Sequence, residues 1–434
     1  MLLSLVLGKQ WGPFSDGRGG TITYYYSDEV TWIVVTLALG WLTWFLLSRY
    51  MRARALRRRP RPTDYGLKQV VRIKRELSSQ YLRPGFSRPI HAVGIGRLPD
   101  NRYCIQIFLN DVNEELWTGA GAAPLPNSFR GVPLVPIEMP AAVFLSAAGL
   151  SPPSPPDQYP NGIRGRQEVI VGGISGANTN LAGQSGTIGY FCTRKSKFRR
   201  RKEIHLLSNS HVFADLQKAT VDESDLIMQP SPGEPAGSRP IGMLVDFSRL
   251  TFEDQKAPNH IDVAIARLWG AERHDPVIPL IGAVNGYVAT NDIEIGETVR
   301  KFGRTTGYSE GRVTSIYLDI WIQYDRTGRA ACFSDQILIE PDQSRFTKFV
   351  AKGDSGSLLV DSAQHAVGLI FAGVSDAIMD QIDKSPARLK VEPGVDQPRR
   401  IDGYGVANPI SDVLDRMNIE LVLERPLTAT SNTT

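Results

Sequence analysis

The chain has 434 residues, 42% of them hydrophobic and 22% charged, with a formal net charge of +4. That is ordinary globular composition with room for two domains, and 40 glycines with 29 prolines argue against a helical bundle. Three cysteines, Cys104, Cys192 and Cys332, form an odd set without CxxC spacing, which argues against a disulfide framework or a structural zinc site and fits reduced thiols in a cytoplasm.

Residues 1–29 lead into VTWIVVTLALGWLTWFLLS at 30–48, nineteen residues without a charge. At about 1.5 Å per residue this run covers roughly 28 Å, close to a bilayer core. Trp32, Trp41 and Trp44 include candidates for interface anchors. A buried core helix is the alternative, but such helices rarely lack all charge over this length. A cleaved signal peptide would carry its charges ahead of the apolar run, and here they follow it. Arg49, Arg52, Arg54, Arg57, Arg58, Arg59 and Arg61 crowd the basic segment 49–62, whereas only Lys9 and Arg18 precede the run. Positive flanks stay cytoplasmic, so a single-pass inner-membrane anchor is expected, with the N-terminus outside and all that follows residue 62 inside. The arginines would rest on anionic headgroups.

A helix capped by Thr63-Asp64 is expected through Leu67, Val70, Val71 and Leu77, followed by strands at 91–96, 103–109 and 132–139. This makes residues 63–145 a small α+β module, and no ligand motif stands out in it. SPPSPPDQYP lies in a stiff linker, 146–164. From 165 to 425 come short strand candidates, among them 186–193, 203–209, 261–268, 311–324, 335–340, 356–360 and 366–373, separated by Gly, Pro, Asp and Ser. An antiparallel barrel or sandwich is the class this supports. Asn408 and Pro409 are read as the cap and first residue of one terminal helix. Residues 426–434 are expected to be a disordered tail. The basic loop RKSKFRRRK at 194–202 has one aromatic, Phe198, so a nucleic-acid partner is not expected.

The stretch AKGDSGSLLVD, 351–361, reads either as a tight turn entering a strand or as a turn holding a nucleophilic serine, Ser355. A serine hydroxyl needs a neighbouring base. Of six histidines, His211 follows the apolar strand HLLSN and stands where a strand gives way to a turn, a place where scaffolds expose working side chains. In IDVAIARL, alternation sets Asp262 with Ala264 and Ala266 on one face. It is either a solvent-facing residue at a strand start or a buried carboxylate that needs partners such as an imidazole N–H.

His211, Asp262 and Ser355 occur in the order found in chymotrypsin-type enzymes. With LLSNSH, IDVAIARL and GDSGS, and with VRKFGRTTGYSEGRVTSI and GLIFAG, the chain resembles the trypsin/chymotrypsin-like serine peptidases over roughly residues 165–422. Its histidine motif is similar to the SN-x-HV of bacterial intracellular members and their plant relatives. The fold class implied is mainly β: a double antiparallel β-barrel peptidase domain, preceded by one transmembrane helix and the small α+β module. The resemblance implies a serine endopeptidase acting on protein or peptide substrates without cofactor or metal. His211, Asp262 and Ser355 would be catalytic, the N–H groups of Gly353 and Ser355 would form the oxyanion hole, and Phe371, Ala372 and Gly373 would bind substrate.

Phe371-Ala372-Gly373 stands where many relatives have Ser-Trp-Gly, and Phe349 and Val350 suggest no acidic pocket floor, so an apolar residue is expected at the cleaved position. Secreted relatives pair the aspartate of the nucleophile turn with a newly formed N-terminus. Asp354 therefore either has an internal partner or leaves the oxyanion hole misformed until an activating partner or ligand arrives, and the second is the expectation. A membrane-tethered peptidase of bacterial defence or signalling is the leading reading. Its rivals are a protease-fold binding or scaffold protein and a periplasmic HtrA-like quality-control protease.

Overall fold

The computed structural model describes residues 10–15, 21–25, 65–82, 90–109, 126–140, 142–144, 147–148, 162–181, 184–196, 203–214, 219–222, 224–324, 329–373 and 401–423. The expected span 30–48, the basic segment 49–62, the prolines of 151–160, most of the basic loop and the tail 426–434 lie outside them. Among the described residues no helix is long and apolar enough to cross a membrane. Two compact units are present, Met1–Thr63 and Asp64–Thr434. In the first, Gln10–Ser15 pairs antiparallel with Thr21–Tyr25.

The second unit is mainly β. Its helix α1 (Leu67–Tyr81) follows the expected stripe: Val70, Ile73 and Leu77 are buried, while Gly66, rather than Thr63 or Asp64, stands at the cap. Lys74 of the same face is fully buried and ion-pairs with Asp319 at 2.6 Å. Strands β1 (Ile90–Arg97), β2 (Tyr103–Leu109) and β3 (Val132–Glu138) match the expected runs within a residue or two. Two short strands follow, β4 (Ala142–Phe144) and β5 (Ala147–Ala148).

The next strands are β6 (Ala177–Asn178), β7 (Gln184–Ser185), β8 (Tyr190–Arg194) and β9 (His205–Ser208), then the one-turn helix α2 (Ser210–Phe213), β10 (Leu226–Gln229), β11 (Arg239–Phe247) and β12 (Ala264–Leu268). They are succeeded by β13 (Thr298–Gly303), β14 (Gly307–Gln323), β15 (Ala330–Pro341), β16 (Leu358–Asp361), β17 (His365–Gly373), β18 (Gly405–Pro409), the helix α3 (Ile410–Arg416) and β19 (Ile419–Leu421).

The first group apart from β7, joined by β19, forms one antiparallel sheet in the order β6-β10-β11-β12-β9-β8-β19. Its ends are drawn together where Ile188 N–H donates to Ile174 O at 2.9 Å and Gly173 N–H donates to Ile188 O at 2.7 Å. In the second group the order β13-β16-β17-β18-β15-β14 returns to its start, because β14 also pairs with β13. Such closure leaves no exposed sheet edge around the ring. The distal part of β14 continues outward and pairs antiparallel with β1. The module's strands therefore extend the same sheet as the second group.

Strands β10 and β11 were not anticipated, since RPIGMLVDF in β11 carries a proline and a glycine and buries its residues without strict alternation. The terminal helix begins at Ile410, and Asn408 belongs to β18 rather than capping it. All three cysteines are buried free thiols. Burial pushes Cys104 up to about 11 and Cys332 up to about 12, so neither is poised as a thiolate.

Candidate active site

Strand β9 ends at Ser208, and the chain turns at Asn209 into α2, whose second residue is His211. Asn209 Nδ2 donates to the carbonyl of Asp262 at 2.7 Å, which ties this turn to the lead-in of β12. Asp262 is fully buried, so the solvent-facing alternative falls. Its carboxylate takes the backbone N–H of His211 at 3.3 Å and lies 2.5 Å from the imidazole Nδ1. A carboxylate only accepts, so Nδ1 carries the proton and Nε2 is left as the acceptor in the neutral ring. That is the tautomer a general base needs.

Two further residues hold Asp262, and neither could be chosen from local pattern. Asn408 Oδ1 accepts the Asp262 backbone N–H at 3.0 Å, while its Nδ2 donates to Gln336 Oε1 at 2.6 Å. The side chain read as a helix cap is thus spent on the backbone of Asp262. Tyr324 OH donates to Asp262 Oδ2 at 3.4 Å. Burial first, and then the Asp262 charge, push the phenol well above its ordinary value, which keeps it a donor. Asn408→Ala should cost about 1–3 kcal/mol by leaving the buried Asp262 N–H and the Gln336 amide oxygen without that partner. Urea unfolding measures this, and a change of only a few tenths would show that Asn408 does not hold the Asp262 backbone.

Ser355 sits in the turn before β16. Gly353 has φ +101° and Gly356 has φ +95°, in the left-handed region that L side chains avoid. A Cβ on Gly356 would also lie 2.2 Å from Thr187 O. The Ser355 carbonyl accepts from Thr187 N–H at 2.9 Å, and Thr187 Oγ1 donates to Gly353 O at 2.8 Å. The residue before Thr187 packs on the histidine helix, since a Cβ on Gly186 would meet Val212 Cγ1 at 2.3 Å. Gly186-Thr187 therefore joins the His211 and Ser355 sides of the site. The Ser355 hydroxyl donates to Phe371 O at 3.3 Å, so it must turn from that carbonyl to give its proton to the imidazole. Such contacts often tighten only when substrate is bound.

Among the described residues the N–H groups of Gly353 and Ser355 donate to no protein acceptor. Their neighbours in the turn are engaged: Asp354 N–H bonds Ala351 O at 3.0 Å, and Gly356 N–H bonds Ile370 O at 2.9 Å. Two unspent amides flanking a hydroxyl can receive a developing oxyanion.

Asp354 has internal partners, which overturns the expectation of a carboxylate waiting for an activator. It is fully buried with Lys301, and Lys301 Nζ lies 3.1 Å from Oδ2. Thr306 Oγ1 and Ala351 N–H donate to Oδ2 at 2.7 and 2.9 Å, and the N–H groups of Thr305 and Thr306 donate to Oδ1 at 2.8 and 3.1 Å. Burial alone would raise this carboxyl, but the Lys301 charge and these donors hold it below the usual carboxylate range. Burial pulls Lys301 down despite the Asp354 charge. Nearby, Glu234 and Arg304 form a second buried ion pair at 2.5 Å across the two strand groups.

Phe371, Ala372 and Gly373 form the end of β17, where Phe371 packs on Phe333 with ring centroids 4.7 Å apart. Phe349 and Val350 are buried. Ala372 and Gly373 pair on one side with Val406 and Gly405 of β18, and on the other with Phe144 and Val143 of β4.

No protein-family profile matches the chain, and no curated protein matches it. Among solved structures, a glutamic-acid-specific serine protease that uses a histidine triad in substrate binding is 14% identical, with TM-score 0.36, covering 58% of this chain and 100% of that one. Thermobifida fusca protease A is 16% identical, with TM-score 0.36, covering 59% and 100%. The Rv3671c protein of M. tuberculosis, as an inactive Ser343Ala mutant, is 14% identical, with TM-score 0.30, covering 62% and 94%. These are trypsin/chymotrypsin-like neighbours at low identity and low overlap, and the chemistry below rests on the site's own geometry.

Proposed function

We propose that the protein is a serine endopeptidase with the two-barrel architecture of trypsin-like enzymes, in which Ser355 attacks a peptide carbonyl and His211 takes the hydroxyl proton and returns it to the leaving amine. Asp262 orients the imidazole and balances its charge. The N–H groups of Gly353 and Ser355 stabilise the oxyanion, and Phe371, Ala372 and Gly373 line the substrate cleft. The observation that carries this reading is the buried 2.5 Å contact between His211 and Asp262, set beside a serine turn with two unspent amides. Pairing of Asp354 inside the chain supports a turn that is built on folding, without a newly cut N-terminus.

Residues 30–48 anchor the enzyme in a cell membrane on this reading, with the arginines of 49–62 keeping the peptidase on the cytoplasmic face. A fluorophosphonate probe tests both parts. Wild-type chain in inside-out membrane vesicles should be labelled and Ser355→Ala should not. Absence of wild-type labelling would overturn the peptidase reading, and labelled chain confined to the soluble fraction would overturn the tether.

A further inference from the structure

Strand β4 is three residues long, and both of its sides are paired. On one side it runs antiparallel to the end of β17, with Val143 against Gly373 and Phe144 against Ala372. On the other it runs parallel to the end of β14, with Ala142 against Ile322 and Val143 against Gln323. Both neighbours lead straight into the site. The residue before Ala372 is Phe371, whose carbonyl takes the Ser355 hydroxyl, and the residue after Gln323 is Tyr324, whose hydroxyl reaches Asp262. Ala142 is fully buried in one apolar cluster with Ile322, Phe371, Ala372 and Val406. Just upstream, Tyr404 OH donates to Pro140 O at 2.5 Å and Met139 N–H donates to Leu109 O at 2.8 Å, so the strand enters the site from a fixed point on the module.

An extended peptide binds a protein by adding its backbone to a sheet edge, and an edge beside a nucleophile presents that backbone for attack. The end of β17 has two sides, and β18 holds one of them through Val406 and Gly405. β4 holds the other, and it uses the same N–H and C=O groups of β17 that an incoming peptide needs. A filled edge takes no further strand. We propose that β4 is an inhibitor built into the chain: it occupies the substrate edge beside Ser355, and a protein substrate binds only by displacing it. The catalytic groups are already in place in this state, because Asp354 is paired with Lys301 and His211 with Asp262, so the brake acts on access and not on the chemistry. Three residues are the short end of strand length, and a longer competing backbone can replace so small a pairing.

The inference rests on the proposed peptidase function. The purified full chain is compared with the double variant Val143→Pro, Phe144→Pro, which removes the N–H that faces β17, since successive residues of a strand point their N–H groups to alternate sides. A second double variant, Val143→Gly with Phe144→Gly, weakens the same strand without removing a donor. Fluorescein-labelled casein needs the edge, p-nitrophenyl acetate is too small to use it, and the fluorophosphonate probe counts working sites. Apparent affinity falls with the fraction of sites that are open, so the proline variant should lower KM for casein about tenfold or more with kcat unchanged. The glycine variant should move KM the same way by less. Acetate hydrolysis and probe labelling should be equal in every chain. An unchanged or higher KM, or no casein turnover, in a labelled variant overturns the inference and leaves the peptidase reading standing. An acetate rate that changes in step with casein turnover also overturns it, because the effect would then act on the catalytic groups. Loss of labelling in both variants overturns it too, since β4 would then be part of the fold and not a displaceable strand. A wild type that is neither labelled nor cuts casein removes the peptidase reading, and this inference with it.

Discussion

His211→Ala is expected to lower kcat/KM on an unstructured protein substrate by about a millionfold, the scale at which a base and nucleophile act as one unit. Alanine removes the imidazole that the Asp262 carboxylate holds, and a hydroxyl without its base is a poor nucleophile. Two features make the expectation strict. Ser355→Ala should cost about as much, and the double variant should cost no more than either, because each single loss already disables the unit. A fall of tenfold or less, with an unchanged circular dichroism spectrum, would mean that another group takes the proton.

Lys301→Met should destabilise the protein by about 3–5 kcal/mol, since it leaves the Asp354 charge buried and unpaired. The same variant should lose activity, because Asp354 is bonded to the turn through Ala351 and stands between Gly353 and Ser355, whose amides face the oxyanion. Adding Asp354→Asn to Lys301→Met should recover much of the stability, as the charge left behind is removed. The pH dependence has a definite sign. Asp354 is held below its ordinary value, so its contribution is complete above about pH 3.9 and is lost as pH falls through its folded value. Urea midpoints from pH 6 down to pH 2 should show this acid loss in wild type and less of it in the double variant. Equal midpoints for wild type and Lys301→Met at neutral pH would show that the pair does not hold the turn.

The sequence made the strands of the second group legible because their apolar runs are long, and it made His211, Asp262 and Ser355 legible because chain order and flanking motifs are local text. The structure brings His211 and Asp262 into contact and sets Ser355 across Gly186-Thr187 from them. What stayed hidden depends on distant residues meeting. Lys301 reads as an alternating polar position in VRKFGRTTG, and only the return of β13 beside the nucleophile turn reveals Asp354 as its partner. Asn408 before Pro409 reads as a helix cap, and its use on Asp262 follows from β18 lying near β12. Tyr324 closes a strand with no polar motif around it. β4 and β5 are too short to show a period, and each pairs with residues far along the chain.

The joint between β1 and β14 has a bearing on where the protein can be divided. Ile95, Val93 and Ala92 are laced to Ile316, Asp319 and Ile320, and the Lys74 ammonium is sealed against Asp319 beneath them. Pulling residues 65–109 away would strip the outer run of β14 of its neighbour and leave the Asp319 carboxylate without its cation, so the module and the second strand group part only at the cost of both.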